Sequence, residues 1–376
     1  MMLDIKGVIL PERIREGRRA RGFTQLELAD AISVSKQAIS QYENGSNSPK
    51  PEVFEMICDV LKLPPNYFSK PIPYKITTPI FFRKRTTAAK KYSDIFEVKI
   101  GWMVEIYQYL KNFIEFPQVK LKTYMQENYS FEEIVQVAEE IREYWGLGKG
   151  PISNISLLLE NNGFIISKVK AGAVKVDACS FLNTQEEEKR PMIFATPDTS
   201  SVRSRRDFVH ELGHQVLHPW ADQAYFDANR KRLDDEAEWF ASAFLLPAES
   251  MRREAYAVKS LDSLILLKKR WKVSAQAILY HMRNLEVLSE NQFIHLRNKM
   301  YKNGWRQSEP LDKDIEQEEP IMISQATKLL LENKIRSPLQ FGEEISLPID
   351  DIEDLCGLDR GSLTISQQRA VLKLVK

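Results

Sequence analysis

The stretch His-Glu-Leu-Gly-His occupies positions 210–214, inside a segment (205–219) with the apolar spacing of a buried helix. Histidines four residues apart lie on one face of an α-helix, so His210 and His214 can both bind one divalent metal ion. Glu211 lies beside them, placed to take a proton from the water that such an ion activates. Three of the five histidines in the chain fall between positions 210 and 218, which favours a metal site.

A zinc site of this type needs a third protein ligand, usually a carboxylate on a second helix, and leaves a fourth position for water. Downstream, Asp234 and Glu238 lie four residues apart beside an apolar helical stripe. That helix is expected to bring one carboxylate to the metal and the other to the outer shell, where it would orient a ligand histidine. His218 lies too far along the first helix to share the ion with both motif histidines, and its expected role is outer-shell or structural.

The motif and its surroundings resemble one known family. Residues 203–214 read Arg-x-Arg-Arg-Asp-Phe-x-His-Glu-Leu-Gly-His, and residues 234–247 read Asp-x-x-Ala-x-x-Phe-Ala-x-x-x-Leu-Leu-Pro. Both patterns are similar to the ImmA/IrrE metallopeptidases, many of which carry a DNA-binding domain. The resemblance implies zinc ligands at His210 and His214, a catalytic base at Glu211, and a transcriptional repressor or antitoxin as substrate.

The third ligand is a departure from the family, because Asp234 stands where the family has glutamate. Aspartate is one methylene shorter, which leaves three alternatives open. Asp234 binds the metal after a small shift of its helix, or Glu238 or Glu236 replaces it, or the metal binds weakly.

The N-terminal residues carry the start and stop signals of several short helices. Thr24 and Glu27 form a predicted capping box, Ser35 is a predicted helix cap, and Asn44-Gly45 is a stop signal. The pattern over residues 11–68 resembles the phage-repressor, or Xre-type, helix-turn-helix domain. The resemblance implies binding to a double-stranded DNA operator, with the third helix in the major groove, and a homodimer matching two half-sites.

The outward face of the predicted third helix carries Lys36, Gln37 and Ser40. Gln37 is the first choice for base readout, since glutamine can form a bidentate contact with adenine. Gln25, at the start of the second helix, is expected to bind phosphate together with Arg13, Arg18 or Lys36.

The composition fits a multidomain globular protein without membrane segments. The 376 residues are 43% hydrophobic and 28% charged, and the net charge of +1 conceals local basic clusters such as 13–21. Three widely spaced cysteines disfavour a disulfide framework, and no apolar run approaches membrane-spanning length, so a cytoplasmic location is expected.

We therefore expect an all-α helix-turn-helix domain, an α+β zincin-like metallopeptidase domain and a helical C-terminal region. The predicted divisions are 1–69 for the helix-turn-helix domain, 70–129 for a linker and long helix, 130–250 for the peptidase domain and 251–376 for the C-terminal region. The expected function is DNA-binding, zinc-dependent endopeptidase. The alternative is a transcriptional regulator whose weak or inactive peptidase fold serves as a sensor or partner-binding module.

Overall fold

The computed structural model describes residues 8–73, 81–84, 90–169, 176–183, 189–197, 200–306 and 308–364. The two ends of the predicted domain division, at residues 1 and 376, lie outside these ranges. Within them, no helix is both long and apolar enough to cross a membrane.

The N-terminal module consists of short helices, as the sequence predicted. They are α1 (Pro11–Ala20), α2 (Gln25–Ala31), α3 (Lys36–Asn44) and α4 (Pro51–Leu61), followed by a 3-10 turn (Pro65–Ser69). The capping box is present, because the Thr24 hydroxyl accepts from the Glu27 amide at 3.1 Å while the Glu27 carboxylate accepts from the Thr24 amide at 2.6 Å. Ser35 caps α3, and Gly45 ends it at a φ of 77°, a conformation that favours glycine.

A four-stranded sheet forms the centre of the chain. Its strands are β1 (Phe81–Lys84), β2 (Ile165–Lys168), β3 (Val176–Asn183) and β4 (Arg190–Ala195), in the order β1-β3-β4-β2. β2 runs parallel to β4, whereas β3 is antiparallel to both β4 and β1. The sequence predicted β2, β3 and β4 as strands, and it predicted an extended piece in the linker without its pairing to the sheet.

Helices cover the sheet on both sides. α5 (Lys90–Lys111), α6 (Phe131–Tyr144) and α7 (Ile155–Asn161) precede the two helices of the predicted metal site, α8 (Ser201–Leu217) and α9 (Gln223–Leu245). The helices that follow are α10 (Ala248–Ala255), α11 (Leu261–Trp271), α12 (Ala275–Asn284), α13 (Glu290–Lys302), α14 (Met322–Glu332), α15 (Pro338–Ile345) and α16 (Ile349–Cys356).

The sheet separates two hydrophobic cores. One face, with Ile166 and Ile193, packs with α6–α13, so the helices after residue 250 share a core with the metal helices. The other face, with Phe181 and Phe194, belongs to a core that includes the helix-turn-helix module, α5 and α14–α16. Each core thus combines segments that the sequence assigned to different domains. The division of the chain into four domains stays a prediction.

Arginines of the N-terminal basic cluster hold the helix-turn-helix module against the rest of the chain. Arg13 is fully buried, and its guanidinium donates to Glu105 of α5 at 2.8 Å and to Glu16 at 2.5 Å. Arg19 pairs with Asp94 and Glu97 of α5, and Arg21 pairs with Asp351 of α16, each at 2.8 Å or less. Of the three alternatives for a phosphate contact beside Gln25 (Arg13, Arg18 or Lys36), Arg13 is excluded, because a side chain buried among carboxylates cannot reach DNA.

Candidate metal centre and nucleic-acid interface

The two helices of the metal site approach each other closely, and a glycine permits this. α8 is buried along most of its length, and Gly213 faces α9. A Cβ at Gly213 would lie 3.1 Å from the Phe240 ring and 3.2 Å from the Ala237 backbone, so a larger residue would push α9 away. The glycine of the motif therefore sets how near the carboxylates of α9 come to the histidines.

The three side chains predicted as metal ligands lie close together. The Nε2 atoms of His210 and His214 are 3.1 Å apart, and His214 Nε2 is 3.5 Å from Asp234 Oδ1. One ligand atom from each of the three residues lies within 4.8 Å of the other two. Tetrahedral ligands at about 2.0–2.1 Å from zinc are separated by about 3.3–3.4 Å. The separations of 3.1 and 3.5 Å lie on either side of that value, and the remaining one is at most 4.8 Å, so Asp234 lies near both histidines and its role as third ligand stays a prediction.

Glu211 is completely buried and has a partner that the sequence analysis did not identify. The Ser180 hydroxyl, on β3, donates to Glu211 Oε2 at 2.6 Å. This bond holds one oxygen of the Glu211 carboxylate against the sheet. It therefore orients the carboxylate beside the two motif histidines. The signal in the sequence is a small polar residue, Ser180, inside the otherwise apolar run 178–182.

Behind His214 lies a chain of buried polar groups. With Nε2 turned toward the metal position, Nδ1–H of His214 donates to Nδ1 of His218 at 3.1 Å, and His218 Nε2–H donates to Glu236 at 2.8 Å. Arg232 in turn donates to the other oxygen of Glu236 at 2.8 Å. Burial lowers the pKa of His218 more than the bond to Glu236 raises it, so the ring is neutral and can accept from His214.

This arrangement bears on the alternatives for the third ligand. Both carboxylate oxygens of Glu236 accept hydrogen bonds, one from His218 and the other from Arg232. Glu238 Oε2 lies 3.7 Å from Nδ1 of His210, the ring nitrogen opposite the one that faces His214, and Glu238 also accepts from Arg206 at 2.6 Å. That is the position of an outer-shell carboxylate, and the ligand assignment itself stays a prediction.

The predicted DNA-contacting residues lie on α2 and α3 with different surroundings. Lys36 and Gln37 are exposed and Ser40 is half-buried on α3. Gln25 instead donates its amide to Glu43 at 2.9 Å, and Arg18 also binds Glu43, with Nε–Oε1 at 2.5 Å. The exposed side chains are therefore those of α3, whereas Gln25 and Arg18 are bonded to the buried carboxylate of Glu43.

Comparisons with known proteins agree with both resemblances. A helix-turn-helix family model matches residues 14–68, and the model of a peptidase family, described as the IrrE N-terminal-like domain, matches residues 166–283. An uncharacterized HTH-type transcriptional regulator of Sinorhizobium fredii is 35% identical over 66 residues, which are 18% of this chain and 46% of that protein. The antitoxin PezA of Streptococcus pneumoniae is 34% identical over 50 residues, 13% of this chain and 32% of its own length.

The chain thus spans less than half the length of these curated relatives. The two domain matches cover separate parts of the sequence, and they coincide with the α1–α4 module and with the segment from β2 to α12. The chain therefore contains one region similar to helix-turn-helix domains, residues 14–68, and a second region similar to the IrrE N-terminal-like peptidase domain, residues 166–283.

Proposed function

We propose that the protein is a zinc-dependent endopeptidase that also binds DNA. The observation that carries this proposal is the convergence of His210, His214 and Asp234 from two helices, with atom separations of 3.1 and 3.5 Å beside a buried Glu211. Two imidazoles and one carboxylate are the donor set of many catalytic zinc sites, which keep one position open for water.

Zinc, when bound, lowers the pKa of water and polarises a peptide carbonyl. Glu211 supplies the proton transfer: it takes a proton from the attacking water and passes it to the leaving amine. Ser180 donates to one oxygen of Glu211 at 2.6 Å, which orients the carboxylate for this transfer. His218 keeps the proton of His214 on Nδ1, so that Nε2 keeps its lone pair for the metal.

DNA binding is proposed for α3, with Gln37 as the base-reading residue and Lys36 and Ser40 beside it. Their support is exposure, because both Lys36 and Gln37 are open to solvent on the helix that enters the major groove in such domains. Gln25 stays a proposed contact only if the operator phosphate displaces its bond to Glu43. A homodimer is proposed because two half-sites one helical turn apart gain affinity together.

The proposed substrate is a transcriptional repressor or an antitoxin, whose cleavage would change gene expression. The relatives named as a transcriptional regulator and as an antitoxin support a place in such control, although each is similar to this chain over 66 residues or fewer.

The test is Glu211→Gln, which keeps the size of the side chain and removes its basicity. Wild type, Glu211→Gln and a matched surface control, Glu249→Gln on α10, are expressed in the host, and new protein N-termini are labelled and sequenced. We expect one or a few cleavage sites, in a DNA-binding protein, that appear with wild type and Glu249→Gln and vanish with Glu211→Gln. Identical sets of N-termini in all three strains would contradict endopeptidase activity.

A second candidate, a regulator that uses the peptidase fold as a sensor, is favoured by one observation. The buried Arg13–Glu105 pair and the Arg21–Asp351 pair connect the helix-turn-helix module to α5 and α16. A shift of α5 or α16 would therefore move the module that carries α3. Under this candidate, operator affinity would depend on zinc, and would do so equally in Glu211→Gln.

A further inference from the structure

The β3 strand links the catalytic base to an edge of the sheet. Ser180 on β3 donates to Glu211 at 2.6 Å. β3 lies between β4 and β1, so it would be an edge strand of the sheet if β1 were not paired with it. An unpaired strand edge presents a row of N–H and C=O groups, and proteins bind extended peptides by adding them as a strand to such an edge. The β3 edge is therefore the strand position nearest the proposed general base.

A segment of the chain itself occupies this position. β1 is antiparallel to β3, with Phe81 opposite Ser180 and Phe82 opposite Cys179. Residues paired in this way have Cα atoms about 4.5–5.5 Å apart. The backbone at Phe81 is thus one strand spacing from the residue that touches Glu211. The pairing becomes irregular between Phe82 and Lys84.

The strand at the opposite edge of the sheet, β2, has different neighbours. Helices α14 and α16 pack against β2, and the Ser167 hydroxyl on β2 donates to the Leu355 carbonyl of α16 at 2.8 Å. Among the described strands, β3 is therefore the one whose outer edge is closed only by a short strand from the linker.

The start of the linker is held by the helix-turn-helix module. Arg13 donates to the Lys70 carbonyl at 2.8 Å and to the Pro71 carbonyl at 3.0 Å, and the same guanidinium binds Glu105 of α5. α5, beginning at Lys90, follows β1 in the chain. The segment that pairs with β3 is thus joined at one end to the DNA-binding module and at the other to the helix on which that module rests.

We propose that residues 81–84 occupy in cis the β3 edge beside Glu211, and so fill the position that an extended substrate segment would take. This inference rests on the proposed function and adds to it that the peptidase site is closed by the chain's own linker. A substrate segment gains access when β1 leaves β3. The linker competes as a tethered segment, at an effective concentration of about millimolar.

The test uses a synthetic peptide of residues 78–87 as the probe and Phe81→Pro and Phe82→Pro as separate variants. Adjacent residues of a strand direct their N–H groups to opposite sides, so one proline removes a bond to β3 and the other is its matched control. Binding of the labelled peptide is measured by fluorescence anisotropy, with a scrambled peptide of the same composition alongside. Amide exchange of β3 is followed in parallel, and β2 is the internal reference.

We expect one of the two variants to bind the peptide at least about tenfold more tightly than wild type does. In that variant the outer amides of β3 should exchange at least tenfold faster, with β2 unchanged, and saturating peptide should restore their protection. Equal peptide binding by wild type and both variants, or unchanged exchange in β3, would overturn the proposal. So would a Glu211-dependent cut within residues 81–84 of zinc-loaded wild type, since the strand would then be a substrate and not an occluding segment.

The two proposals fail separately. Peptide binding at β3 without any Glu211-dependent cleavage would retain the binding surface and remove the endopeptidase activity. Glu211-dependent cleavage of a host protein, with no difference between wild type and the proline variants, would retain the activity and remove the occlusion by β1. If both proline variants lose protection in β2 as well, Arg83→Pro at the irregular position provides the third variant, with the same expected exchange pattern.

Discussion

Replacing His218 by alanine tests whether the buried polar chain behind His214 sets the affinity of the metal site. The substitution removes the acceptor of the His214 Nδ1–H at 3.1 Å and the donor to Glu236 at 2.8 Å. Loss of such an outer-shell partner typically weakens metal binding by about 10–100-fold. This corresponds to about 1.4–2.7 kcal/mol of binding free energy. We therefore expect the zinc dissociation constant to rise by one to two orders of magnitude.

The assay is competition for zinc with a chromophoric chelator, which measures binding without reference to catalysis. His295→Ala, at an exposed position of α13, is the matched control and should leave the zinc dissociation constant unchanged. His218→Asn keeps an acceptor near the Nδ1 position and should recover most of the affinity, whereas alanine cannot. If folded His218→Ala binds zinc within twofold of wild type, the ring does not position His214 and the reasoning is refuted.

Three further predictions concern other parts of the chain. Arg13→Met should lower the free energy of unfolding by about 3–5 kcal/mol in urea titrations, because it removes the guanidinium that pairs with Glu105. Burial already raises the pKa of Glu105, so the carboxylate depends on this partner. A loss below about 1 kcal/mol would contradict the buried pair. Burial lowers the pKa of His281 to about 4, so its contribution to stability is complete above about pH 6.5 and is lost as the pH falls toward 4. The loss amounts to about 3 kcal/mol at most, and His281→Gln should make stability fall less in this pH range. An unchanged pH profile of stability would contradict this prediction. Gln37→Ala should weaken operator binding by about 1–3 kcal/mol and relax preference at one base position, measured at fixed salt against a set of mutated sites, while Gln25→Ala should affect all sites alike; equal specificity in wild type and Gln37→Ala would remove Gln37 from base readout.

The sequence predicted the metal helices well because their geometry is local. Two histidines four residues apart share a face on any α-helix, and the apolar residues between them required burial. The capping box at Thr24 and the cap at Ser35 are also contacts over three residues, and both are present. The positions of the short N-terminal helices along the chain were predicted from such capping signals.

The contacts that the sequence did not predict join residues far apart in the chain. Ser180 and Glu211 are 31 positions apart, and Arg13 and Glu105 are 92 positions apart. No spacing rule reports such pairs, because a basic residue on a helix has the same sequence signature whether it faces DNA or a buried carboxylate. For this reason Arg13 was included among the three alternatives for a phosphate contact, and the strand in the linker was predicted as extended without its partner β3.

The zinc content of the purified protein, wild type beside Asp234→Ala and Glu238→Ala, tests the central claim most directly. Asp234 Oδ1 lies 3.5 Å from His214 Nε2, whereas Glu238 faces the other nitrogen of His210 at 3.7 Å and is bonded to Arg206. We predict one zinc per chain in wild type, loss of the ion in Asp234→Ala, and retention with weaker affinity in Glu238→Ala. Full zinc occupancy in Asp234→Ala, or no zinc in wild type after zinc is added, would contradict the account.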